Sequence, residues 1–174
     1  LSGSGTEENP YLIYNEDQLQ NLSKTGASNS IGNYYFSQMA DIDLINIDWV
    51  PICHNTGTKI YVFNGVYDGN GYLIKNMTID TNESYFSAGL FGTINDTAVI
   101  KNVNMVDVNI SNIHYFMGAG DTSLGCTVGS IVGHNNGLIT NCYAEGIITA
   151  NGSGEKIVIG GIVGCGNAIN CISE

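Results

Sequence analysis

The sequence predicts an all-β fold of stacked parallel strands, a parallel β-helix (solenoid) closed at its N-terminal end by a capping helix. Three observations carry this expectation. Four segments share one plan, a short Gly-containing hydrophobic piece, a polar turn, an aliphatic, an Asn, and then alternating apolar residues. They are 63–80, 88–110, 129–152 and 160–174, anchored on Asn76, Asn102, Asn141 and Asn170 at intervals of 26, 39 and 29 residues. Self-similarity at roughly 20–50 residues marks a repeat architecture. Within the repeats the hydrophobic rhythm is that of strands, as in "NVNMVDVNI", and helical periodicity is missing. Finally, 12% charged residues, 23 Gly and two Pro fit short strands joined by tight turns better than solvated helices.

The elements follow in order. Tyr11–Tyr14 reads as a short apolar strand, and a helix begins after it. Asn15 is the expected N-cap and Gln18 occupies the capping-box position, while Glu16 and Asp17 suit the positive helix end. Leu19 and Leu22 form its apolar face, with Tyr14 as a staple to Leu19. Residues 1–30 thus form a strand and a helix that covers the first coil, as a solenoid end requires. Residues 31–174 supply the coils of the same single domain, and the chain is expected to continue beyond Glu174. "YFSQMADIDL" reads as the first long strand, with Phe36, Gln38, Ala40, Ile42 and Leu44 inward and Asp41 and Asp43 outward.

Farther on, strands stacked about 4.8 Å apart give the repeated glycines a role, since Gly permits close backbone approach at each corner. Asn at equivalent turns can form an amide ladder. Ile131 and Val132 should stack on Ile162 and Val163. Cys142 and Cys171 each follow an anchor Asn, which makes them small inward fillers in the reduced state.

Composition narrows the function. The net charge is −11, and the five bases are all Lys, so the chain lacks the bidentate group used for phosphates and base edges. Nucleic acid is therefore not an expected partner, and neither is an anionic membrane. No run reaches the roughly 18 apolar residues of a membrane span, which argues against membrane insertion. The five cysteines form no CxxC, so neither a zinc ribbon nor a thioredoxin-like site is signalled.

The succession "GTEENPYLIYNEDQLQNLS", "YFSQMADIDL", "WVPI", "FNGVYDGNGYLIKNMTI", "AGLFG" and two "G-x-IVG…G-x-I-x-N-C" units resembles the GLUG-repeat proteins. These are bacterial surface and adhesin-like proteins, and the repeat also occurs in IgA-protease-like polypeptides. The resemblance implies a right-handed parallel β-helix and an extracellular, cell-surface module with no catalytic residues or cofactor. It breaks at Ile113–Val128, an apparent insertion.

An enzyme is the competing expectation, because β-helices also host polysaccharide lyases and hydrolases. Asp41 and Asp43 lie two apart on one strand face, about 7 Å by strand geometry, a span suited to an inverting carboxylate pair. A solvated strand face is the plainer reading. "DGNG" at Asp68–Gly71 reads as a type I′-like turn, not a calcium loop, because further acidic ligands are missing. His54, His114 and His134 show no metal-like spacing, and Cys53 and His54 would point to opposite faces of a strand. The insertion groups His114, Tyr115, Phe116 and Met117 before Gly-rich sequence. It is the expected binding loop for a protein or glycan ligand, with an apolar strand folded onto the scaffold as the alternative.

Overall fold

The computed structural model describes residues 1–55, 59–80, 87–111, 126–149 and 157–174. These form parallel strands in four sheets and one helix. The first sheet runs in the order β1 (Tyr11–Ile13), β2 (Tyr35–Gln38), β4 (Val66–Asp68), β9 (Val99–Lys101), β13 (Leu138–Thr140). The second runs β3 (Ile42–Asp43), β5 (Leu73–Lys75), β10 (Asn104–Ser111), β14 (Tyr143–Ile148), β17 (Ile172–Ser173), with β6 (Thr78–Asp80) also paired to β10. Two three-stranded sheets complete the set. One is β7 (Ser87–Ala88), β11 (Cys126–Gly129), β15 (Ile157–Gly160), and the other is β8 (Phe91–Ile94), β12 (Val132–Asn135), β16 (Val163–Cys165).

Every ladder between these strands is parallel and joins segments from successive sequence units. Like residues therefore pile into columns. Phe36, Tyr67, Ile100 and Ile139 are register partners in one column, and Ile42, Ile74, Met105 and Ala144 in another; all are buried. Phe36, Phe63, Phe91 and Tyr67 make a chain of tilted or edge-on ring contacts, with centroids 5.0–5.9 Å apart. Such contacts add to the area each ring removes from water. Val132 pairs with Val163, and the Ile131 amide donates to the Ile162 carbonyl at 3.1 Å.

The glycines of "GSIVG" and "GGIVG" are explained by the approach of neighbouring backbones. A Cβ on Gly164 would stand 2.5 Å from the Val128 nitrogen, and one on Gly129 2.6 Å from the Gly164 nitrogen. No side chain fits at either place, and backbone cannot yield as a flexible side chain can.

Helix α1 (Glu16–Gly26) is capped by Asn15, whose Oδ1 accepts from the Gln18 amide at 3.1 Å. Gln18 Oε1 accepts in return from the Tyr14 amide, one residue before the cap. Tyr14 itself is exposed, so its backbone and not its ring makes the closure. Leu19 and Leu22 are buried. The helix rests on the segment around Trp49–Cys53. Ser23 Oγ donates to the Val50 carbonyl, and a Cβ on Gly26 would meet the Cys53 nitrogen at 2.7 Å.

Three sequence expectations need correction. "YFSQMADIDL" is not one strand but two, β2 and β3, in different sheets, although Phe36, Gln38, Ile42 and Leu44 do face inward. Cys53 and His54 are both buried, because Cys53 adopts a left-handed conformation (φ 56°) that turns the chain, and strand alternation does not apply there. Asn76 is not equivalent to the other anchors. The amides of Gly69, Asn102 and Asn141 donate to the carbonyls of Lys101, Thr140 and Ile169, so Gly69, Asn102, Asn141 and Asn170 occupy one corner. Asn76 belongs to a second corner with Leu44 and Asp107, where the Leu44 amide donates to Lys75 and the Asn76 amide to Val106.

Leu19→Asp should destabilise the protein by about 2–4 kcal/mol, through lost burial and a desolvated charge. A denaturation midpoint unchanged from the parent would show that α1 is peripheral to the core.

Candidate functional site

Several polar side chains that tie one unit to the next lie at the two corners. Asn102, Asn141 and Asn170 have φ of 54°, 54° and 53°, and Asn76 has 58°. Asn tolerates this left-handed region better than other residues with a side chain. At the first corner Asp68 gathers the donors of two units. Its Oδ1 accepts from the Asn70 amide and from Asn102 Nδ2, both at 2.9 Å, and its Oδ2 lies 3.1 Å from Lys101 Nζ. Asn70 reaches the other way, donating to Ser37 Oγ at 2.7 Å and the Gln38 carbonyl at 2.8 Å. "DGNG" is indeed a type I′ turn, with φ of 50° at Asn70 and 78° at Gly71, closed by the Tyr72 amide on the Gly69 carbonyl at 2.9 Å.

Where the second sheet begins, just before β3, Asp41 Oδ1 accepts from the Leu73 amide at 2.9 Å, and at the second corner the next acid is used the same way. Asp43 Oδ1 accepts from Asn76 Nδ2 at 2.7 Å and from the Ile45 amide at 3.1 Å. In place of the amide ladder expected through the anchors, Asn76 and Asn102 each donate to a single Asp of the preceding unit, at different corners. An Asn-to-Asn rung does occur elsewhere, where Asn95 Nδ2 donates to Asn64 Oδ1 at 3.0 Å.

These bonds set the charge state of the carboxylates. The hydrogen bond from Asn76 holds the exposed Asp43 carboxyl below the usual range. Partial burial of Asp68 would raise its carboxyl, but the hydrogen bonds from Asn102, the Asn70 amide and Lys101 outweigh it and bring it down. Neither group is a proton donor near neutral pH. Burial pushes the thiols of Cys53, Cys126 and Cys142 up to about 12, which removes them as thiolate nucleophiles. All five cysteines are free thiols, and Cys142 and Cys171 repeat one contact, S–H to the carbonyl two residues back.

Two grooves lie beside this framework. A polar one of about 480 Å³ is lined by Ile45, Asn46, Asp48, Thr78, Asp80 and Asp107. Its acids come from distant sequence positions, and the bridge from Asp48 to Thr78 with the pairing of β6 to β10 brings them together. No local motif announced them. An apolar groove of about 300 Å³ between α1 and the first sheet includes Tyr11, Leu22, Ile31, Tyr34 and Phe36. His114, Tyr115, Phe116 and Met117, the expected binding residues, lie outside the described residues. Among the described residues no helix is long and apolar enough to cross a membrane.

No family model matches the chain. Over 150 residues, 82% of its length, it is 32% identical to an Evansella cellulosilytica protein provisionally named a Gly-rich membrane protein, of which it covers 15%. It is 30% identical over 164 residues, 93% of the chain, to halomucin of Haloquadratum walsbyi, covering 2% of that protein. The chain therefore spans a small part of both relatives. A Bacteroides ovatus crystal structure, described as that of a candidate immunoglobulin A1 protease, matches with a TM-score of 0.64. The match covers 98% of this chain and 58% of that one at 24% identity, a likeness of fold.

Because Asp68 has a lower pKa folded than unfolded, its stabilising contribution is complete above the unfolded value of about 3.9 and is lost as pH falls through the folded value. Asp68→Asn should therefore lower stability at pH 6 and flatten its decline between pH 5 and pH 2. Urea midpoints measured across that range would show parallel curves if Asp68 did not contribute.

Proposed function

We propose that the chain is a non-catalytic, adhesin-like repeat module of a bacterial cell-surface protein. Its units wind as coils of a right-handed parallel β-helix and present a ligand-binding loop to a host or matrix protein or glycan. The observation that carries this reading is the use made of the carboxylates. Asp41 and Asp43, the pair spaced for glycosidic chemistry, accept hydrogen bonds from the Leu73 amide and the Asn76 side chain of the next unit, and Asp43 is held ionised. A glycosidase acid must instead be protonated at its working pH and must reach the substrate. The recurrence of such rungs from unit to unit is the economy of a scaffold.

The long relatives support the same reading. A segment that covers 15% of one protein and 2% of another is a component of a larger architecture. Their names, a membrane protein and a halomucin, favour a location at the cell surface. Within that reading the insertion around His114–Met117 remains the first candidate for recognition, since its aromatics offer large contact area with few rotamers to freeze.

A second reading, a carbohydrate-active enzyme, is favoured by one feature, the groove that gathers Asp48, Asp80 and Asp107. The two readings separate on one preparation, screened against glycan and matrix-protein arrays and against a polysaccharide panel for released reducing ends. The module binds without releasing product, and Tyr115→Ala with Phe116→Ala abolishes binding at unchanged melting temperature. Product release that is lost in Asp48→Asn or Asp107→Asn would establish the enzyme.

A further inference from the structure

Two of the five free thiols are set against each other by the stacking itself. On one side of them Thr140 bridges to Ile169, and on the other Tyr143 and Ala144 pair with Ile172 and Ser173. The Ile172 amide donates to the Cys142 carbonyl at 3.0 Å. Asn141 and Asn170, with φ of 54° and 53°, turn the chain alike just before each cysteine. Cys142 and Cys171 therefore hold the same place in neighbouring units, where parallel strands lie about 4.8 Å apart. Val103 holds that place one unit earlier.

The side chains agree with the backbone. Each S–H donates to the carbonyl two residues back, Cys142 to Thr140 at 3.2 Å and Cys171 to Ile169 at 3.3 Å. Matching contacts aim both sulfurs the same way, and it is inward. Cys142 is buried, and Cys171 packs against the core. Burial is the main cause of the raised Cys142 thiol, and Cys171 adds to it through charge and a side-chain hydrogen bond. The two sulfurs are thus near neighbours. The register partners of Cys126 and Cys165 are instead Ile157 and His134.

We propose that Cys142 and Cys171 form a disulfide site, closed by an external disulfide as the chain folds and tying successive units covalently. A disulfide needs Cα atoms roughly 4.4–6.8 Å apart, a range that includes the strand spacing. Closure takes two exchanges. The thiolate of one cysteine attacks a sulfur of the external disulfide, forming a mixed disulfide and releasing one thiol. The sulfur of the second cysteine then attacks the protein sulfur of that mixed disulfide and releases the other thiol. Two electrons pass from the cysteines to the external disulfide, and their two protons end on the released thiols. The step belongs to folding, because the finished stack buries Cys142 and suppresses its thiolate. A bond between register partners also forbids the one-residue slip that would exchange the faces of a strand. The geometry stands by itself, whereas use of the bond in the cell rests on the cell-surface location proposed above, an oxidising compartment.

The test is to refold the chain from urea in excess oxidised glutathione, quench with an alkylating agent, and map the cysteines by mass spectrometry. Two of the five cysteines should escape alkylation, with their peptides joined through Cys142 and Cys171. The joined form should unfold at a higher urea concentration than the same sample after reduction. Cys171→Ser should lose both the link and that difference, and Cys165→Ser should keep both. Five alkylated cysteines in the refolded parent overturn the proposal. So does glutathione retained on Cys142 or Cys171, a link to any other cysteine, or a joined form that unfolds at lower urea than the reduced one. Each of these failures removes the bond and leaves the cell-surface reading standing, since none of the measurements depends on location.

Discussion

Everything in this molecule depends on corners that repeat in register. A parallel strand can lie on its predecessor only if the chain turned identically one unit earlier, so an error at a corner displaces every strand after it. The solution at one corner is a single left-handed residue whose amide still serves the ladder. Asn102 and Asn141 have positive φ, yet their N–H groups donate to Thr140 and Ile169 of the next unit. The turn thus costs no hydrogen bond. Where Gly69 holds the same place, a Cβ would lie 2.4 Å from the Asn102 carbonyl oxygen, so the residue is excluded from carrying a side chain by the Asn that follows it one unit later.

The side chains of those Asn residues convert a conformational device into a cohesive one. Asn102 ties to Asp68, Asn76 to Asp43, and Asn70 to Ser37 and Gln38, each bond crossing from one unit to another. Gln38, a large polar side chain wholly inside the core, joins the same system. Gln38 donates to the Ala40 and Leu73 carbonyls and accepts from the Tyr67 hydroxyl. Among the described residues no buried side-chain nitrogen or oxygen is left without a partner. A polar network in a core is tolerable only when complete, and here completion requires the neighbouring unit. A displaced register would therefore strand polar groups as well as misplace aliphatics, which makes the network a check on alignment.

How far this was legible in the sequence depends on the range of the signal. The capping helix was legible because its determinants are local, with Asn15, Gln18, Leu19 and Leu22 lying within eight residues. The equivalence of Asn102, Asn141 and Asn170 was legible because each stands after an aliphatic turn of the same length. Asn76 was misplaced for an instructive reason. "LIKN" at Leu73–Asn76 and "VIKN" at Val99–Asn102 are near copies, and both put Asn at a left-handed strand end. They nevertheless sit at different corners, since β5 pairs with β10 and β9 with β4. Local chemistry specifies what kind of turn a residue makes, and only pairing decides which turn it is. The groove at Asp48, Asp80 and Asp107 was illegible on the same ground, being assembled entirely by pairing.

That division also bears on function. The carboxylates most conspicuous in the sequence, Asp41, Asp43 and Asp68, each accept a hydrogen bond from the following unit, and the bonds to Asp43 and Asp68 favour their ionised form. Along the stack, acids thus serve twice, as rungs between units and as a solvated surface whose like charge keeps molecules apart.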